Sequence, residues 1–317
     1  MDELNYGTTA LMLITPDAVQ RGLSAEVVRR VGLAGFRVVG HRPWYTAPDN
    51  LDAFHRRNGP VDRDPRLYRL VEQLFALGPL LALAVQEGGD HQPDQVHQRL
   101  KVLKGLGDPA YAAPGSIRND LRSMNTILNI VHSSDDAEDT AREASWFLEA
   151  GPGRLETDPA ALARSLYSIE SGRSADDRCF QEILGGVRGR LLTALRPRLS
   201  AAQRRAIGDH RGPDALHHLG GQAGSEWLTE VLPLDHGLQG LVDPPLPGDR
   251  SNTAPQIETG RLAEFRVSLD PWEHLVLATS RYYPPLACEP STCVRAVAEP
   301  TRRAHRYNRG DLVRQEQ

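Results

Sequence analysis

Apolar positions in the first 150 residues fall into short continuous runs separated by segments of helical spacing. Ala10-Leu11-Met12-Leu13-Ile14 is long enough for a buried strand and stops at Thr15-Pro16-Asp17. A proline opening the next segment, with an acid beside it, suits a helix N-terminus. Val19, Leu23, Val27, Val28 and Val31 then recur at helical spacing up to Gly32 and Gly35. Phe36 to Gly40 predicts a second strand, and residues 52–57 and 67–77 predict helices that end at Gly78-Pro79. Leu80 to Val85 is apolar throughout, as in a strand buried on both faces, and is expected at the sheet centre. A helix over 92–104 and a Gly/Pro-rich loop over 105–115 follow. Ile127 to Val131 predicts the last strand, delivering His132, and Asp135-Asp136 opens a helix to Glu149 with acids where the helix dipole favours them. The order β-α-β-α-α-β-α-β-α predicts an α/β sandwich, with helices on one or both faces of a small sheet.

Gly151-Pro152-Gly153 marks a boundary, giving a first domain over 1–150 and a C-terminal region over 151–317. Helices are expected over 159–171, 176–195 and 200–207, the last capped by Ser200. Residues 242–256 read as a Pro/Gly-rich loop, and the Arg-rich tail from Thr301 as mobile. The runs 265–269 and 274–279 fit either strands or one buried helix, so the region is expected to be mostly helical or mixed.

A chain of 317 residues fits roughly two domains of about 150 residues. With 40% hydrophobic and 25% charged residues it is not a disordered chain. Its net charge of -4 argues against general nucleic-acid binding. No run is long and apolar enough for a membrane span, and Met1-Asp2-Glu3 is not the cationic start of a secretory signal, so a cytoplasmic protein is expected. Cys179, Cys288 and Cys293 are too few for a disulfide framework. Only Lys101 and Lys104 of the 37 cations are lysines, a scarcity read as base-composition bias.

His132 is the candidate for the chemistry. A histidine at the end of a buried strand, with helix starts and a Gly-rich loop nearby, is placed to attack phosphorus, and a neutral imidazole is a nucleophile at physiological pH. Such a ring needs a carboxylate one or two turns into the following helix to hold its other nitrogen. Cations and amide donors are expected around the phosphates.

Three segments occur in order: Thr15-Pro-Asp-Ala-Val-Gln-Arg-Gly22, Gly105 through Pro114-Gly-Ser-Ile-Arg118, and Asn129-Ile-Val-His-Ser-Ser-Asp135, followed by Glu143 and Trp146-Phe147. Over about residues 8–150 this resembles the nucleoside diphosphate kinases, whose pattern is Lys-Pro-Asp-x-Val-Gln-Arg-Gly, Pro-Gly-Thr-Ile-Arg and Asn-x-x-His-Gly-Ser-Asp. The resemblance implies a ferredoxin-like α/β sandwich. It also implies a phosphotransferase that moves the γ-phosphoryl of a nucleoside triphosphate to a nucleoside diphosphate or related acceptor through phosphohistidine at His132. By the same resemblance Glu143 orients His132, Ser134 lies close to both, Arg118 grips phosphate oxygens and Asn129 lies near sugar and phosphate. Mg2+ comes with the nucleotide, no metal-binding residues are expected in the protein, and a homo-oligomer is implied. Asp17 and Arg21 are read as structural.

The chain departs from the pattern in its binding shell. Thr15 replaces the family lysine near the transferred phosphate, Lys101 stands at the family arginine, Gly107 at a threonine and Ser133 at a glycine. The base-stacking aromatic falls near Leu67, beside Tyr68, and the family tyrosine has no clear counterpart between Phe54 and Asn58. The phosphate-binding set is therefore Thr15, Lys101, Arg118 and Asn129, with Leu67 at the base. These departures motivate the alternative of a nucleotide-binding pseudoenzyme or interaction protein. Cys288 and Cys293 are read as structural or free thiols. His210, His217, His218, Asp235 and His236 are read as loop residues, and Arg302-Arg303-Ala-His-Arg306 as solvated tail.

Overall fold

The computed structural model describes residues 4–46, 54, 65–87, 95–149, 155–172, 178–207, 221–232, 237–244 and 257–280. Strands β1 (Thr9–Ile14), β2 (Phe36–Trp44), β3 (Leu80–Glu87) and β4 (Val131–Ser133) form one antiparallel sheet in the order β2-β3-β1-β4. Both sheet faces are covered, which is why the two central strands read as apolar runs and not as alternation. Leu11 and Leu13 share one face with Leu80, Ala82 and Ala84, while Ala10, Met12 and Ile14 share the other with Leu81, Leu83 and Val85. This is the expected ferredoxin-like α/β sandwich.

The second face is packed by α1 (Pro16–Gln20), α2 (Ser24–Leu33), α4 (Gln95–Lys104) and α5 (Ile117–Asp120). The periodicity of 19–31 predicted one helix, but Gly22 takes φ 66° and divides it into α1 and α2. The first face is packed by α3 (Pro65–Ala76) and by α6 (Ala137–Ala144), which continues as a π-helical turn over Ser145–Glu149. Strand β2 runs beyond Gly40 to Trp44 with a bulge between Val38 and Gly40, and as an edge strand it accommodates Pro43. The last strand starts later than the apolar run suggested. The Asn125 side chain accepts from the amides of Ile127 and Leu128 at 2.9 Å each, folding that stretch into a turn, so His132 lies inside β4 and not after it. The helix expected over 52–57 lies outside the described residues except for Phe54.

Beyond residue 150 the described chain is helical: α7 (Pro159–Glu170), α8 (Phe180–Ala194), α9 (Ala201–Ile207), α10 (Gln222–Val231) and α11 (Pro271–Ser280). Of the two ambiguous runs, 274–279 is helix, and 265–269 follows a 3-10 turn over Thr259–Phe265. Most of the loop over 242–256 and the whole tail lie outside the described residues. The segment before α7 covers the β2 edge: His41 N donates to Glu156 O at 2.8 Å and Glu156 N to His41 O at 3.1 Å. Leu155 packs over Gly40, where a Cβ would come within 2.9 Å of its side chain. On the first face α11 packs on α3 and α8, and α10 packs on α8. Asn125 Nδ2 donates to Thr279 Oγ1 at 3.0 Å, a buried link between the two halves.

One apolar cluster therefore runs from Leu11 and Leu13 through Leu74 to Val187, Leu191 and Trp272. A core that crosses residue 150 should unfold as a unit. Leu191→Ala, at a fully buried position, is expected to cost about 2–5 kcal/mol and to shift a single urea transition seen identically by circular dichroism and tryptophan fluorescence. An early transition insensitive to this substitution would mean that the halves fold separately.

Candidate active site

The site begins with the turn that feeds β4. Ile130 adopts φ 73°, a left-handed conformation that is costly for a β-branched residue. Two hydrogen bonds hold it: Thr15 N donates to Ile130 O at 3.1 Å, and Ile130 N donates to Asp17 Oδ2 at 2.8 Å. The other Asp17 oxygen accepts from Thr15 Oγ1 at 2.6 Å, so the Thr15 hydroxyl is buried and engaged within its own turn. Burial pushes the Asp17 carboxyl up, against the lowering effect of these bonds. Arg21 Nη1 donates to Arg122 O at 2.9 Å and fixes the chain leaving α5.

Within β4 the His132 ring turns toward α6. Its Nε2 lies 3.0 Å from Glu143 Oε2, and Ser134 Oγ donates to the same oxygen at 2.7 Å. Glu143 is buried, whereas the His132 side chain is 26% exposed. A carboxylate beside Nε2 accepts its proton, so the tautomer assigned from this contact leaves the Nδ1 lone pair for an electrophile. The Phe54 ring stands edge-on to the imidazole at 5.0 Å between centroids, and itself packs against Phe147 at 5.2 Å and Trp146 at 6.3 Å.

Among the described residues the outer edge of β4 is covered by cations and not by a further strand. Ser134 N donates to Leu11 O and Thr15 N to Ile130 O, so within the Leu13–His132 register the backbone groups of Val131 and Ser133 point away from β1. Arg118 takes the outward carbonyls of Asn129 at 3.2 Å and Val131 at 2.6 Å, and that of Gly105 at 3.0 Å. Lys104 Nζ takes the carbonyl of Ser133 at 3.1 Å. Burial brings the Arg118 guanidinium down to about 10, still charged at neutral pH. Burial, then the charge of Arg118, bring the Lys104 ammonium down to about 8. Lys101 is exposed and lies 3.5 Å from the equally exposed Asp135, a weak pair. The Asn129 amide donates to Thr126 O at 2.8 Å. Gly107 lies beside Arg118, whose Nη1 would be 3.9 Å from a Cβ there, and Gly105 takes φ 85° with Ser116 Oγ 2.6 Å from where its Cβ would be.

His132, Glu143 and Ser134 are thus in direct contact, and Arg118 and Asn129 flank them at the start of β4. Thr15 is tied to the Ile130 turn, and Lys101 stands on the exposed side of α4. Leu67 falls in α3, but its side chain lies outside the described residues, as do Cys288, Cys293, His210, His217, His218, Asp235, His236 and the Arg-rich tail. Among the described residues no group of three or more His, Cys, Asp or Glu is arranged to hold a metal ion. Nor is any helix there long and apolar enough to cross a membrane.

Two residues at the site escaped the sequence reading. Phe54 fell in the helix expected over 52–57 with nothing to mark it for the site, and only folding brings it to His132. Lys104 did carry one: Val96, Leu100 and Lys104 fall at i, i+4 and i+8, which puts a lysine on the buried stripe of α4.

Lys104 also sets a pH dependence. Its folded value near 8 lies below the ordinary 10.5, so between those values the unfolded chain binds more protons and stability rises with pH. Urea unfolding at pH 7.5 and 9.5 should show this gain in the wild type, at most about 3 kcal/mol at roughly 1.4 per pKa unit, and lack it in Lys104→Met.

Residues 8–151 match the family model for nucleoside diphosphate kinase. A nucleoside diphosphate kinase of Streptomyces avermitilis is 33% identical over 146 residues, 46% of this chain and 96% of its own length. One from Macrococcus caseolyticus is 37% identical over 139 residues, 44% of this chain and 86% of its own. A chloroplastic nucleoside diphosphate kinase 2 of Pisum sativum is 30% identical over 141 residues, 44% of this chain and 56% of its own. The matched segment holds the sheet, the Ile130 turn and the His132 contacts, and through it the chain belongs to the nucleoside diphosphate kinase family.

Proposed function

We propose that this chain is a phosphotransferase that carries the γ-phosphoryl group of a nucleoside triphosphate on Nδ1 of His132 and delivers it to a nucleoside diphosphate or related acceptor. The observation that supports this best is the contact of Glu143 with both His132 Nε2 and Ser134 Oγ, which leaves Nδ1 as the nucleophile. The Nδ1 lone pair forms the new N–P bond as the bond from γ-phosphorus to its bridging oxygen breaks, and the diphosphate leaves with that electron pair. Glu143 stabilises the positive charge that develops on the imidazole. The acceptor's terminal phosphate oxygen then attacks phosphorus and the N–P bond breaks, restoring the free histidine. Mg2+ enters as part of the nucleotide substrate, held by phosphate oxygens and water, consistent with a site whose central carboxylate, Glu143, is engaged by His132 and Ser134. Arg118 and Asn129 are assigned to the phosphates and sugar, and Lys101 to the outer phosphates. In this reading the protein acts in the cytoplasm as a homo-oligomer.

A second reading, nucleotide binding without turnover, is favoured by one observation: the Thr15 hydroxyl is spent on Asp17, at the position where the family carries a lysine.

Incubation with γ-labelled ATP separates the two. Acid-labile label should appear on the wild type and move to added nucleoside diphosphate. It should be absent from His132→Ala and form about a hundredfold more slowly in Glu143→Gln, the scale of losing one preorganised electrostatic partner. Unlabelled wild type that still binds ADP in calorimetry would establish the second reading, and undiminished label on His132→Ala would remove the histidine from the mechanism.

A further inference from the structure

Lys104 has no part in the reading above, and its place in the fold is costly. It follows Val96 and Leu100 on the buried stripe of α4 and is only 7% exposed. Two further cations, Arg118 and Lys101, lie close enough to act on its charge. A leucine would fill this stripe without a desolvation cost, so packing does not account for a lysine here. Its ammonium has three protons, and among the described residues one hydrogen bond is made, to Ser133 O. At the same residue the Ser133 hydroxyl is buried with no partner among the described residues. Ser133 directly follows His132. Arg118 holds the carbonyl before His132 and Lys104 the carbonyl after it, about 7 Å apart for two residues of strand. The two cations therefore bracket the histidine along the free edge of β4.

We propose that Lys104 is a phosphate-binding residue of this chain, which supplies from the end of α4 the positive charge that Thr15 does not supply from the end of β1. Its two remaining protons bind oxygens of the phosphoryl group carried by the nucleotide and then by His132. The inference rests on the phosphotransfer reading for its substrate, while its binding half is measurable without turnover. The groups that act on Lys104 are Arg118 on α5, Lys101 on α4, Asp135 after β4 and Glu143 on α6. None of these is a carboxylate hydrogen-bonded to it, which leaves its charge unmatched at the buried end of α4.

The test uses the full chain as wild type, Lys104→Met and Lys104→Arg, with melting curves to verify folding, and two readouts. Calorimetry with ADP and with inorganic tripolyphosphate should show binding weakened about tenfold to a hundredfold in Lys104→Met, the scale of a lost charged hydrogen bond, and largely kept in Lys104→Arg. Labelling by γ-labelled ATP should slow by about a hundredfold to a thousandfold in Lys104→Met, with partial recovery in Thr15→Lys/Lys104→Met. In labelling measured as kcat/KM, the wild type should lose rate above about pH 8 as the ammonium titrates, and Lys104→Arg should move that limb upward. Weakened polyphosphate binding in Lys104→Met with no label on the wild type would uphold the phosphate site and reject the phosphotransfer reading. Folded Lys104→Met that binds both probes as the wild type does, or wild type that binds neither, would overturn the proposal.

Discussion

The whole site depends on how the free edge of a three-residue strand is satisfied. Among the described residues β4 pairs with β1 on one side only, and its outward carbonyls take their donors from side chains and not from a neighbouring strand. Arg118 and Lys104 provide them, so the groups that complete the sheet's hydrogen bonding also set positive charge on either side of His132. Structural and chemical demands fall on the same atoms. Loss of either cation would leave a buried carbonyl unpaired as well as removing charge from the histidine's surroundings.

The Ile130 turn is the second half of this arrangement. A strand this short holds little register by itself, and a residue at φ 73° immediately before it would relax if free. Asp17 and the Thr15 amide hold the turn from the end of β1. The segment Thr15-Pro-Asp thus sets where β4 begins, and therefore which residue faces Glu143. This accounts for a threonine that serves well where a lysine stands in the family: the backbone amide and the Asp17 carboxylate carry the structural work, and only the charge is missing.

The C-terminal half extends the core, and none of its described residues is among the contacts of His132 given above. α8, α9, α10 and α11 join the apolar cluster on the face shared by Leu11, Leu13 and α3, α7 sets Ile169 against the opposite face, and the segment before α7 pairs with β2. The two sheet edges thereby end differently. The β2 edge is closed by the chain's own backbone at Glu156, while the β4 edge is closed by side-chain cations.

Much of this was legible in the sequence. The continuous apolar run at 80–85 marked a central strand, because strands covered on both faces lack alternation, and the run at 10–14 marked a strand that the sheet places beside it. The ordered motifs around Thr15, Arg118 and His132 identified the family, and the spacing from His132 to Glu143 located the acid. Other features depended on contacts distant in sequence. The last strand moved from 127–131 to Val131–Ser133 because the Asn125 side chain folds the apolar run into a turn, which hydrophobicity alone does not register. Phe54 reached His132 from a segment read only as a helix, with nothing to tie it to the site. Lys104 was one of two lysines whose scarcity was read as base-composition bias, until burial and the Ser133 carbonyl gave it a place. The sequence determined which residues are present and which way the strands and helices divide the core; the tertiary structure alone decided which polar groups meet at the β4 edge, because that edge is completed by side chains from α4 and α5 and not by any neighbour along the chain.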